Sequence, residues 1–187
     1  MEAINKINKI EKITKLVLFA IAGTILITIS AKVKIPFYPV PMTMQTFIIL
    51  FIGITYGYKL GIATVSLYLL EGIIGIPVFA NSPEKGVGLI YFVGPTMGYL
   101  FGFLAAVYFS GLFNYNKGII NSFFKLIFSV SFIYILGLFW LGVLIGWDKP
   151  LFKLGAAPFL LAELFKILLL LFLMPILLKV RKKIKII

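Results

Sequence analysis

The feature that most constrains this chain is a succession of apolar runs. They cover residues 16–31, 42–57, 60–75, 96–114, 118–146 and 157–179, and short polar or Pro/Gly-rich segments join them. Of the 187 residues, 61% are hydrophobic, against about 45–50% in soluble domains. Too little polar surface remains to cover a particle in water. The pattern predicts an all-α integral membrane protein of six transmembrane helices in a single membrane domain. Runs 42–57 and 60–75 are shorter than the ~20 residues needed to cross a ~30 Å hydrocarbon core. They read as a tight helical hairpin with tilted members, turning at Gly57-Tyr58-Lys59.

The segments between the runs are as informative as the runs. In residues 1–15, Ile4, Ile7, Ile10 and Ile13 recur opposite a basic face, which fits either an interfacial amphipathic helix or a basic tail. A basic leader before an apolar run also resembles a signal peptide, but no small-residue cleavage site follows. Residues 32–41 carry Pro36, Pro39 and Pro41, which force extended backbone across one membrane face. Residues 76–95 are rich in turn formers yet interleaved with apolar side chains, so they are expected to fold back over the helices as an outward lid. Residues 147–155 form a short polar turn with Trp147 as an interface anchor.

Six crossings put both termini on one side. Of the 18 Lys and Arg, only Lys32, Lys34, Lys85, Lys149 and Lys153 fall on the opposite side, and Lys166 lies inside a run. The excess on the terminal side predicts cytoplasmic termini in a multi-pass cell-membrane protein. It also explains the net charge of +12 without nucleic acid, since no basic aromatic stripe accompanies it.

Several chemistries are absent. With no Cys and no His, disulfides and histidine bases or ligands are excluded. No G-x-x-x-x-G-K-[ST], G-x-S-x-G or HExxH pattern occurs, so no P-loop ATPase and no enzyme of those types is expected, and no cofactor or metal is implied. What remains is Glu163 and Lys166 inside the last run. A charge at the bilayer centre costs about 2.5–3.5 kcal/mol on insertion scales. Three residues apart on a helix, the two share one face. Two uses fit: a salt bridge snorkelling to the outer interface, or a polar site whose adjacent acceptor and donor match a cyclic urea or amide.

Other residues are ambiguous by themselves. Asn81 has the groups to read a small polar ring and Phe79 to stack on one, or they are a turn residue and a buried ring. Gln45 fits the same ring or the freed backbone of the Pro segment. Glu71 reads as an interfacial carboxylate. Ala20, Thr24 and Thr28 follow small-xxx-small spacing, which marks a packing face within the chain or toward another protein.

PVPMTMQTF (39–47), YLLEGIIGIPVFAN (68–81), GPTMGYLFGF (94–103) and GAAPFLLAELFK (155–166) resemble, in order and spacing, the motifs of the BioY family. That family comprises the biotin-specific S components of energy-coupling-factor (ECF) vitamin transporters of prokaryotes. The resemblance implies an S-component bundle that binds biotin outside and delivers it inward. Its partners would be an ECF module of one transmembrane coupling protein and two ATPase subunits. It implies that Glu163, Lys166 and Asn81 contact the ureido ring, and that Ala20, Thr24 and Thr28 lie near the coupling-protein interface. Phe79, Gln45 and Thr96 are further expected ligand contacts, Thr96 because the helix N-terminus at Gly94–Thr96 offers backbone N–H groups to the biotin carboxylate. Glu163 stands where the family has Asp, one methylene shorter. Two alternatives remain open: an S component for another water-soluble vitamin, and a proton-coupled carrier using Glu71 and Glu163.

Overall fold

The computed structural model describes residues 2–35 and 38–186, with side chains described from residue 10 to residue 184. Pro36 and the side chains of Ile4 and Ile7 fall outside that description. The chain is mostly helical. Helix α1 (Glu2–Lys32) leads into a two-stranded antiparallel ladder of β1 (Lys34–Ile35) and β2 (Met42–Thr43), with Lys34 opposite Thr43. Then come α2 (Gln45–Ile73), α3 (Met97–Leu112), α4 (Ile119–Ile145), the short α5 (Leu151–Gly155) and α6 (Leu160–Ile186), with 3-10 turns at Gly88–Val93 and Ala157–Phe159. Among the described residues, four stretches are helical, long and apolar enough to cross a membrane: Ile10–Lys32, Gln45–Ile73, Ile119–Ile145 and Leu151–Ile184.

Residues 1–15 do not form a helix of their own. From Glu2 onward they extend α1, which runs unbroken into the apolar stretch. No proline or glycine interrupts that junction, so nothing ends the helix there. Helix α6 likewise runs past Pro175 to Ile186, beyond the limit expected near residue 179.

Helix α2 is two helices joined at Gly57, whose φ of 75° and ψ of 173° are not helical. A Cβ built on Gly61 would lie 3.8 Å from the Gly53 Cα. Along a straight helix, eight residues would separate the two by about 12 Å. The chain therefore reverses at Gly57, where the sequence places its hairpin. Helix α3 packs on this hairpin, and α4 packs on α3. Glycines set both contacts. A Cβ on Gly53 would meet Ser110 Oγ, and a Cβ on Gly98 would meet the Leu136 carbonyl oxygen.

These contacts define two ends. At one, Gly111 lies against Tyr58 beside the Gly57 turn, and Arg181 of α6 reaches the Gly111 carbonyl. At the other, Lys32 at the end of α1 donates to the Phe79 and Ser82 carbonyls at 2.8 and 2.7 Å. Lys34 donates to the Ala80 carbonyl at 2.8 Å. The stretch 74–96 thus lies fastened to the end of α1 and the hairpin strand.

Helix α1 uses its small residues to pack within the chain, one of the two uses the sequence left open. Ala20 and Thr24 are buried and Thr28 is half-buried, on the face where Gly23 meets Thr64 and Tyr56 of α2. Small residues here let α1 approach the chain's own hairpin. The exposed face of α1 carries Leu18, Ile21, Ile25 and Ile29 instead, so a partner docking on α1 would meet those side chains.

Candidate ligand site

The ion pair sits in the first two turns of α6. The irregular 155–159 stretch, anchored by Tyr99 Oη donating to the Gly155 carbonyl at 2.8 Å, aims α6 so that Glu163 and Lys166 turn inward. They are 5% and 7% exposed. Lys166 Nζ lies 2.7 Å from Glu163 Oε1. Glu163 in the first turn also meets the positive end of the helix dipole.

Helix α2 and the hairpin complete the network. Lys166 Nζ donates to Thr43 O at 2.7 Å, to Thr46 Oγ1 at 2.9 Å and to Glu163 Oε1 at 2.7 Å. An ammonium has three donors, so Lys166 is saturated by protein. Thr46 Oγ1 donates in turn to Glu163 Oε1 at 2.8 Å. All of this converges on one carboxylate oxygen. The other, Glu163 Oε2, is buried and has no hydrogen-bond partner, and among the described side chains it stands alone in this. The Tyr134 hydroxyl lies beside the carboxylate, near enough to interact with it by charge and by a loose hydrogen bond, but no well-formed hydrogen bond reaches Oε2. A buried acceptor left unpaired costs about 1–3 kcal/mol, more when charged, so Oε2 is poised to take an N–H or O–H donor.

Glu163 and Lys166 border a cavity in which about 50 Å³ is open to the centre of a water molecule, room for three or four waters. Its other walls include Met42 and Thr43 of the β1–β2 hairpin, Gln45 and Thr46 of α2, Tyr91, Thr96, Tyr99 and Phe103 around α3, and Ile133 and Tyr134 of α4. Aromatic and apolar surface with a few convergent polar groups is the usual makeup of a small-molecule site. Burial raises the Tyr91 phenol above its ordinary pKa, so it stays a neutral donor.

The other expected residues divide. Gln45 and Thr96 line the cavity, but the Gln45 amide is engaged, with Nε2 donating to Tyr68 Oη at 2.9 Å. Asn81 borders a smaller neighbouring space with Lys85, which shares Tyr91 and Thr96 with the first. Its Oδ1 accepts from Lys34 Nζ at 3.3 Å. Phe79 lies behind the wall, buried edge-on to Tyr68 and tilted against Tyr91, over a Gly72 whose lack of a side chain admits its ring. Glu71 is half-exposed at the end of α2 and borders neither space.

A buried ion pair with an unpartnered acceptor, in a cavity between apolar helices of which several are long enough to cross a bilayer, gives a membrane protein with a candidate internal small-ligand site. Comparison with known proteins narrows the class. The BioY family model matches residues 3–183, and the chain belongs to that family. It is 37% identical over 148 residues to the biotin transporter BioY of Thermotoga maritima, covering 77% of this chain and 84% of that one. It is 33% identical over 141 residues to the probable biotin transporter BioY of Pyrococcus horikoshii, covering 75% and 82%. Its fold matches the crystal structure, at 2.1 Å, of the S-component for biotin from an ECF-type ABC transporter, with a TM-score of 0.74 over 92% of this chain and 93% of that one at 24% identity.

Proposed function

We propose that this chain binds biotin at the Glu163–Lys166 cavity and is the S component of an ECF-type transporter. One observation carries the site assignment: the buried Glu163 Oε2 has no partner. A ureido ring offers an N–H donor for it. Lys166 spends its donors on Thr43, Thr46 and Glu163, so its first role is to hold the carboxylate. The ureido carbonyl reaches Lys166 by displacing the Thr43 carbonyl at the hairpin edge. The space is small for a bicyclic ligand, since pockets for drug-sized ligands measure about 300–1,000 Å³. Entry therefore moves the hairpin or the 74–96 stretch, which Lys32 and Lys34 hold together. Asn81 and Phe79 then meet the ligand only after that movement, and the N-terminus of α3 at Thr96 receives the tail carboxylate.

In this reading the two arms of α2 each cross the membrane, which with α1, α3, α4 and α6 makes six crossings. Both termini are cytoplasmic, the protein is multi-pass in the cell membrane, and a coupling protein with two ATPase subunits supplies the energy. The test is isothermal titration of the purified protein in detergent. Biotin binds the wild type, and Glu163→Ala or Lys166→Ala weakens it at least about tenfold, the loss of roughly one charge-assisted hydrogen bond, while both variants still insert. Unchanged affinity in either would sink the site assignment. Binding of a different vitamin in place of biotin would change the ligand. Biotin methyl ester binding as tightly as biotin would remove the tail contact.

A further inference from the structure

The end of the molecule away from the cavity holds a second polar space of about 250 Å³, between the loop after α3 and the last turns of α6. Arg181 and Lys182 come from α6, and Phe113, Asn114 and Asn116 from the loop. The Arg181 guanidinium is held in one orientation. Its Nη1 donates to the Phe113 carbonyl at 3.1 Å and its Nη2 to the Gly111 carbonyl at 2.6 Å. Those bonds use two of the five guanidinium N–H groups. From the far side of the loop, Lys125 Nζ donates to the Asn114 carbonyl at 2.5 Å. Among the described residues no carboxylate pairs with these cations. Among the described residues the ion pairs are Glu11–Lys15, Asp148–Lys149 and Glu163–Lys166.

Leu112 on the rim is 48% exposed, and α4, which follows the loop in sequence, exposes Ile119, Ile120 and Phe124 in its first turns. An oriented cation in a polar hollow with an exposed leucine on its rim matches an anion that carries hydrocarbon chains. The positive-inside bias explains why this end is basic, but it does not require a hollow or a fixed guanidinium. We propose that this hollow binds the phosphate headgroup of an anionic phospholipid, with its acyl chains lying along Leu112, Ile119, Ile120 and Phe124.

The test uses the full chain in detergent with phosphatidylglycerol, phosphatidylcholine or inorganic phosphate added, read by native mass spectrometry. Phosphatidylglycerol adducts should persist while phosphatidylcholine adducts strip away. Retention should fall about fivefold for each basic residue removed, as the surface contribution of one Lys or Arg implies, in Arg181→Gln and in Lys182→Gln. Lys182 makes no hydrogen bond to the protein among the described residues, so its variant keeps the proposal testable if Arg181→Gln fails to fold. Equal retention of the two lipids, or undiminished retention in Lys182→Gln, overturns the proposal. So does equal protection by inorganic phosphate, which would make this a free-anion site. Loss of co-purification with the ECF module and no lipid preference would make it a protein contact. Biotin titration of the same variants stays at the wild-type value, separating this result from the reading of the cavity.

Discussion

Thr46 holds the site together more than its residue type implies. Its hydroxyl accepts from Lys166 and donates to Glu163, so it closes a ring of three side chains in which Oε1 is doubly bound and Oε2 is left for the ligand. Thr46→Val keeps the shape and removes both bonds. The expected outcome is a biotin affinity lower by about tenfold, since leaving a buried charged group short of one partner costs about 1–3 kcal/mol. Titration checks it, and an affinity within twofold of wild type would show that Lys166 positions Glu163 unaided. The charged members of this ring are legible in the sequence because two charges inside an apolar run have to be answered by something. Thr46 is not. A threonine in a membrane helix ordinarily bonds its own backbone, as Thr55 and Thr64 do here, and the contact to Glu163 spans 117 positions of chain. Tyr134 is hidden for the same reason, as an aromatic among many on an apolar helix. Asn81 and Phe79 stand out through their motif, and the chain brings them to the edge of the cavity and behind its wall.

At the scale of elements, the apolar runs and the reversal at Gly57 follow from length and composition. The β1–β2 ladder does not, because two residue pairs leave no periodicity to read; the prolines show only that the segment is extended. The glycines give the sharpest predictions. Gly57 has no atoms within 4 Å of a built Cβ, but its φ and ψ lie in a region open essentially to glycine alone. Gly57→Ala should therefore destabilise by about 1–3 kcal/mol through strain, without moving any helix. Gly98→Ala is different in kind. Its backbone is ordinary helix, and the new methyl meets the Leu136 carbonyl, so α3 and α4 must part. Overpacking of this sort costs about 1–3 kcal/mol as well. The two separate by function: thermal unfolding should fall in both, but only Gly98→Ala should also weaken biotin, because α3 and α4 carry Tyr99, Phe103, Ile133 and Tyr134 on the cavity wall. Equal loss of affinity in Gly57→Ala would mean that the reversal itself shapes the cavity.

For the whole molecule, two ends and an internal cavity closer to one of them give transport a direction. The cavity end carries the hairpin and the fastened 74–96 stretch, and the opposite end carries Arg181 and the α3–α4 loop. In the proposed topology the excess of Lys and Arg puts the second end in the cytoplasm, and the site would then load from outside. The absence of cysteine makes this directly measurable, because single cysteines can be introduced with no background to remove. Lys149→Cys lies in the exposed turn between α4 and α5, and Asn116→Cys in the exposed loop between α3 and α4. A membrane-impermeant maleimide added to intact cells should label the cysteine at 149 and leave that at 116 untouched until the cells are opened. The reverse pattern would turn the molecule over, placing the cavity end and the Glu163–Lys166 pair toward the cytoplasm and making an exporter the better reading. Labelling of both positions from outside would mean that α4 does not cross, and would break the six-crossing arrangement on which inward delivery depends.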